Sequence, residues 1–255
     1  MRRIEIAGRR DAERRPEQRD CEQSHGRRQL CSRSGGHVQN VERGHRRRTG
    51  LTLAAPVRHE TTPMRACGLA GSLRKGSYNR ALLRAAITVA PSGFDIEVFE
   101  RLGEIPLYNA DVEAAGDPEP VAALKAAIGA ADALLIVTPE YNYGVPGVLK
   151  NAIDWASRPP SSSVLDGKPI ALMGATPGRT GTARAQLALR QSFVFTRSAV
   201  LPGPEVLVAE AHEKFAPDGT LRDEATREHV RELVQRLVRW TERLRPATAG
   251  PRGPG

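Results

Sequence analysis

From Met64 onward, short apolar runs alternate with segments in which apolar residues recur every three or four positions. Arg65 to Ala70 reads as a strand, and Tyr78 to Val89 as a helix, because Leu82, Leu83, Ala86 and Val89 fall on one face at helical spacing. Phe94, Ile96 and Val98 alternate with Asp95 and Glu97 at the two-residue period of a second strand. Pro118 to Gly129 is an alanine-rich segment that opens on proline and closes near glycine, the asymmetry of a helix. Ala133 to Thr138 is an unbroken apolar run, as a central strand buried on both faces requires. A helix from Gly147 to about Ser157, a strand from Pro169 to Gly174 and a helix from Gly181 to about Gln191 follow. Val206 to Val208 reads as a fifth strand. Ala225 to Leu244 closes the pattern as an amphipathic helix, with Val230, Leu233, Val234, Leu237, Trp240 and Leu244 on one stripe.

Five strands alternating with five helices predict an α/β three-layer doubly wound sandwich around a five-stranded parallel sheet of order 2-1-3-4-5. In such a sheet, ligands sit beyond the carboxyl ends of the strands, near the point where the strand order reverses. Three loops leave carboxyl ends here: Gly71 to Ser77, Pro139 to Pro146, and Ala175 to Thr180. All three carry unusual residues, which predicts one shared site.

Charge divides the chain differently. Of 38 basic residues, 15 arginines lie in residues 1–63 against 8 acids, whereas the rest of the chain is close to neutral. Apolar residues in that leader follow no period, so ordering it would cost chain entropy with little burial in return. It is expected to be a disordered arginine-rich leader, and Met64 to be the physiological start, with a folded domain over 64–245 and a disordered tail over 246–255. Acids interspersed among the arginines, and the lack of lysines and aromatics, argue against nucleic acid as a partner. The leader has neither the apolar core of a secretory signal nor the acid-poor composition of an organelle-import peptide. Cys21, Cys31 and Cys67 make no disulfide framework, and no zinc-finger spacing links the leader's cysteines to His37 or His45. No apolar stretch reaches membrane-spanning length. A reducing cytoplasm is the expected compartment.

The first loop, Gly71-Ser72-Leu73-Arg74-Lys75-Gly76-Ser77-Tyr78-Asn79, opens a helix, so free N–H groups and the positive helix end face whatever binds there. Ser72, Ser77 and Asn79 offer neutral hydrogen bonds, and Arg74 a planar charge suited to phosphate. The spacing from Gly71 to Gly76 comes close to that of a nucleoside-triphosphate loop, but Ser77 stands where the phosphate-bridging lysine belongs. The strand at 134–137 also ends on Thr138 and Pro139, without an aspartate for magnesium. A G-x-G-x-x-G fingerprint is missing too, which disfavours a pyrophosphate in this turn. A monophosphate fits the loop better. Taken alone, the same residues also suit a plain strand-to-helix turn with a satisfied cap. The second loop, Thr138-Pro139-Glu140-Tyr141-Asn142-Tyr143-Gly144-Val145-Pro146, offers flat surfaces and polar donors for a planar heterocycle, although tyrosines in loops also simply cover a core.

Together with Gly147-Val148-Leu149-Lys150-Asn151-Ala152-Ile153-Asp154-Trp155, these motifs make residues 64–244 resemble the NADPH-dependent FMN reductase family, in its bacterial quinone and chromate reductase branch. The resemblance implies a flavodoxin-like fold. It also implies bound FMN as cofactor, NADPH or NADH as electron donor, and a small acceptor such as a quinone, chromate, an azo compound or a flavin. Ser72, Arg74, Ser77 and Asn79 match the family's phosphate loop, and Pro139, Glu140, Tyr141, Asn142 and Tyr143 its turn against the isoalloxazine. A third flavin-contacting loop corresponds to Gly174, Thr176, Gly178 and Thr180, ending on Gly181. Arg179 departs from the small residues that relatives carry and becomes a candidate partner for a nucleotide phosphate. The cofactor carries the hydride chemistry, so no catalytic acid, base or nucleophile is named. The resemblance further implies a homodimer or homotetramer, formed with the helix around Trp155 and the loop around Tyr108. The alternative reading is a non-enzymatic flavodoxin-like electron carrier or redox-sensing module; such carriers tend to be acidic, and this domain is near neutral.

Overall fold

The computed structural model describes residues 63–245, and the expectations for the leader, its cysteines and histidines, and the tail lie outside them. Strand β1 (Met64–Ala70) leads into α1 (Tyr78–Val89), then β2 (Phe94–Val98), α2 (Ala110–Ala115), α3 (Glu119–Ala130), β3 (Ala133–Val137) and α4 (Gly147–Ala156). The chain continues through β4 (Pro169–Ala175), α5 (Ala183–Phe195), β5 (Ala199–Val200), β6 (Val206–Val208), α6 (Ala211–Lys214) and α7 (Glu224–Leu244). Every strand pairing is parallel and the order is β2-β1-β3-β4-β5, with β6 also on β4. This is the flavodoxin-like arrangement that the apolar pattern predicts.

The fifth position of the sheet is filled by two strands rather than one. Ala199 and Val200 pair with Pro169 and Ile170, and Val206 to Val208 pair with Met173 to Ala175. Between them Pro202 and Pro204 remove the N–H donors that a continuous ladder would need. Two residues carry too little pattern to announce a strand, which is why the first piece escapes a reading of the sequence.

The pleat sorts the core into two halves. Ala133, Leu135 and Val137 face the layer of α1 and α7, whereas Leu134 and Ile136 face α3, α4 and α5. Leu134, Leu135, Ile136 and Val137 are all at most 1% exposed. Each contributes roughly 2 kcal/mol of burial, and the gain anchors the strand whose end carries the second loop. Trp155 is fully buried in the second half of the core, donating its indole N–H to the Pro106 carbonyl at 2.8 Å. Its ring meets Tyr108 edge-on with centroids 5.1 Å apart, so it is core of this chain.

Helix ends follow their local chemistry. Ser77 caps α1, accepting from the N–H groups of Asn79 and Arg80, and Asp223 caps α7, accepting from Thr226 N–H at 2.9 Å. Helix α5 starts at Ala183 instead of Gly181, because Gly181 turns the chain at φ +63°. Helix α2 buries none of its residues, so it leaves no apolar period to detect.

Candidate functional site

Three cross-links hold the loops at the ends of β1, β3 and β4 together. Ser72 Oγ and the Tyr141 hydroxyl lie 3.3 Å apart, joining the first loop to the second. Asn79 reaches from α1 to the end of β4, donating to the Ala175 carbonyl at 2.8 Å and accepting from Ala175 N–H at 2.9 Å. The Glu140 carboxylate, at the end of β3, receives the guanidinium of Arg184 at 2.6 Å and the N–H groups of Arg184 and Ala185 at 3.0 and 3.3 Å. The convergence inferred from strand topology is therefore carried by named bonds.

In the first loop, Ser72 and Ser77 are buried and residues 73–76 exposed. Ser77 Oγ is committed to the cap of α1, and the guanidinium of Arg74 lies 5.7 Å from the centre of the Tyr78 ring. Among the described residues, the N–H groups of Leu73, Arg74, Lys75 and Gly76 donate to no protein acceptor. Open N–H groups, the Ser72 hydroxyl and one guanidinium, with no carboxylate between residues 71 and 79, form a donor set that fits a phosphate monoester.

The second loop closes through Tyr141 N–H to the Gly144 carbonyl at 3.1 Å and Gly144 N–H to the Tyr141 carbonyl at 2.9 Å. Asn142 and Tyr143, at φ +49° and +65°, supply the two left-handed residues of a type I′ turn. Such a φ suits asparagine and strains tyrosine. The strain is held by Arg184, whose guanidinium carbon sits 3.8 Å from the centre of the Tyr143 ring. Tyr141 and Tyr143 are 51% and 73% exposed, so their rings face outward, while Pro139 is buried against the sheet. Tyr141 N–H is consumed by the turn; those of Glu140, Asn142 and Tyr143 have no acceptor among the described residues.

The third loop leaves β4 through Gly174, buried where an added Cβ would lie 2.1 Å from Thr182 Oγ1 and 2.2 Å from the Thr138 carbonyl. Thr176 Oγ1 accepts from Gly178 N–H at 3.2 Å, and the Thr176 and Gly178 carbonyls receive N–H groups from Ala211 and Glu210. Thr180 Oγ1 accepts from Arg184 at 3.4 Å, and Arg179 is exposed. An added Cβ at Gly144 or Gly178 would have no neighbour closer than 3.6 Å, so both backbones stay open to a flat ring.

Arg184 is the residue that reading the sequence misses. It binds Glu140, covers Tyr143 and touches Thr180, so it unites two of the three loops. A cation in the first turn of a helix opposes the helix dipole, and that misfit was the available signal for a fixed anionic partner. Cys67, by contrast, lies within β1, and burial pushes its thiol up to about 12, with Glu97 adding to the shift. It is protonated at neutral pH and plays no part in the loops. Among the described residues, no cluster of histidine, cysteine, aspartate or glutamate could hold a metal ion.

The family model described as NADPH-dependent FMN reductase matches residues 64–213. An NAD(P)H-dependent FMN reductase of Pseudomonas aeruginosa is 52% identical over 178 residues, covering 70% of this chain and 95% of that protein. A quinone reductase of Pseudomonas putida is 43% identical over 172 residues, covering 68% and 91%. Among solved structures, FerB, a flavoenzyme NAD(P)H:(acceptor) oxidoreductase from Paracoccus denitrificans, superposes with a TM-score of 0.65 at 36% identity, covering 71% of this chain and 98% of that one.

Proposed function

The chain belongs to the NADPH-dependent FMN reductase family, and from that membership we propose a site, an acceptor class and an assembly. The protein is an FMN-dependent NAD(P)H oxidoreductase. When bound, FMN supplies the chemistry, taking reducing equivalents from the nicotinamide and passing them on. Residues 64–245 form the reductase domain, and the protein's own groups bind, orient and shield.

Ser72, Arg74 and the open N–H groups of residues 73–76 hold the phosphate, with Ser77 and Asn79 fixing the loop that presents them. Tyr141, Asn142 and Tyr143 would carry the ring, and the open N–H groups of Asn142 and Tyr143 would supply donors for negative charge on it. Pro139 and Glu140 set the turn, and Gly174, Thr176, Gly178 and Thr180 form the opposite wall. The observation that carries this reading is the trio of cross-links, Ser72 to Tyr141, Asn79 to Ala175 and Glu140 to Arg184, which bring three strand ends to one place.

The acceptor we assign is a quinone, the substrate class named for several relatives, including a 2-hydroxy-1,4-benzoquinone reductase of a Burkholderia species. The assembly we assign is a homodimer or homotetramer. Its support is an exposed apolar row, Leu107, Val194 and Phe195 at 84%, 76% and 68%, with Arg158 bridging the rings of Tyr108 and Phe195. Among the described residues no helix is long and apolar enough to cross a membrane. We place the protein in the cytoplasm, where reduced nicotinamide nucleotides are at hand.

Steady-state NADPH oxidation with a benzoquinone, compared with an azo dye and with chromate, tests the assignment. Rapid turnover with the quinone, and slower turnover with the others, is the expected result. NADPH oxidation that stays slow with every acceptor would instead mark an electron carrier.

A further inference from the structure

A cleft of about 370 Å³ begins at Gly76 and Ser77, the last residues of the first loop, and runs between α1 and the segment 212–222. Lys75, Arg84 and Arg222 line it, and their side chains donate to no acceptor among the described residues. Elsewhere many surface cations meet a carboxylate: Arg65 meets Glu97, Lys125 meets Asp117, Lys150 meets Asp154 and Arg197 meets Asp166. One carboxylate, Asp218, borders the cleft, and it is tied into its own turn by Thr220 N–H at 2.8 Å. Gly219, at φ +86°, leaves room for the Arg84 guanidinium, whose Nη2 lies 2.9 Å from where a Cβ would stand. A second hollow along α1 shares Ala81, Arg84, Asp218 and Gly219, so Arg84 sits between the two. Tyr78 and the buried Phe215, tilted by 40° with ring centres 5.5 Å apart, form the aromatic side of the cleft.

Three cations gathered beside two aromatic rings, with Asp218 near Arg222 as the one carboxylate on the cleft, match a phosphate attached to a heterocyclic base. We propose that this cleft is a second phosphate subsite, taking the adenylate end of an adenine dinucleotide through Lys75, Arg84 and Arg222. The proposal rests on the reading that the first loop holds the FMN phosphate, because the cleft starts where that loop ends. Two dinucleotides present this chemistry, the donor NADPH through its adenosine phosphates, and FAD through its AMP half.

The test titrates FMN-loaded full-length protein with 2′,5′-ADP by calorimetry, at low and at raised salt. Wild type should bind, more weakly at raised salt. Arg84→Ala and Arg222→Ala should each bind roughly tenfold more weakly, Arg84→Lys should recover part of the loss, and Arg239→Ala, on the far end of α7, should bind as wild type. A KM for NADPH raised in Arg84→Ala, with FAD binding unchanged, assigns the subsite to the donor. Weaker binding of FAD, with equal binding of FMN, to the variant apoprotein assigns it to the flavin dinucleotide. Wild type that fails to bind 2′,5′-ADP, prefers inorganic phosphate alone, or loses as much affinity in Arg239→Ala as in Arg84→Ala overturns the proposal. Failure of the FMN reading would show separately, as protein without flavin absorbance, and the same titration of that flavin-free protein would still decide the cleft.

Discussion

The contacts around Gly174 leave no space for a side chain, since a Cβ would fall 2.1 Å from Thr182 Oγ1 and 2.2 Å from a main-chain carbonyl. Gly174→Ala must therefore push β4 away from β3 at the point where both enter the site. We predict a loss of roughly 3 kcal/mol in unfolding free energy by urea denaturation; a loss below about 1 kcal/mol would show that the backbone there yields easily. Glu140 and Arg184 pose the opposite case, an attraction rather than a close approach. The Glu140 side chain is 8% exposed and that of Arg184 38%, so the pair stands between a buried bridge and a surface one. Arg184→Ala should cost about 2 kcal/mol and uncover the Tyr143 ring above its strained backbone, weakening FMN binding in a fluorescence titration. Unchanged stability together with unchanged FMN affinity would reject the clamp.

Among the elements, those whose burial imposed a period were legible, and those held by few contacts were not. β3 with its five buried residues and α7 with its single apolar stripe show their identity in sequence. Helix α2 buries nothing, and the two residues of β5 are held by neighbours rather than by their own pattern. Helix α7 ends its loop on a cap that can be tested alone. Asp223 accepts from the hydroxyl and the N–H of Thr226, which hold its carboxyl below the usual range. A carboxyl whose pKa falls on folding adds stability above its unfolded value, about 3.9, and loses it as pH drops through the folded one. Asp223→Ala should cost about 1 kcal/mol at pH 7, and the gap between variant and wild type should narrow below pH 4. A gap that stays constant down to pH 2 would mean that the carboxylate charge does not act at the cap.

At the scale of the whole molecule, the sheet order was readable because alternating strands and helices leave few right-handed ways to wind. The place of the site followed, since ligands gather where the strand order reverses. What the order of residues concealed is how side chains are spent. Asn79 commits a donor and an acceptor to Ala175, Glu140 caps α5, and Ser77 caps α1, so three residues that read as ligand contacts first hold the loops in place. Arg184 lies more than 40 positions from Glu140, a separation across which no local pattern reaches. The account as a whole stands on one property, a flavin phosphate and ring held together by these loops. The visible spectrum of the purified protein, recorded before and after anaerobic addition of NADPH, tests it most directly. Oxidised-flavin bands that bleach promptly, with FMN as the chromophore released on denaturation, are predicted; a colourless protein that takes up no FMN at micromolar concentration would contradict the account.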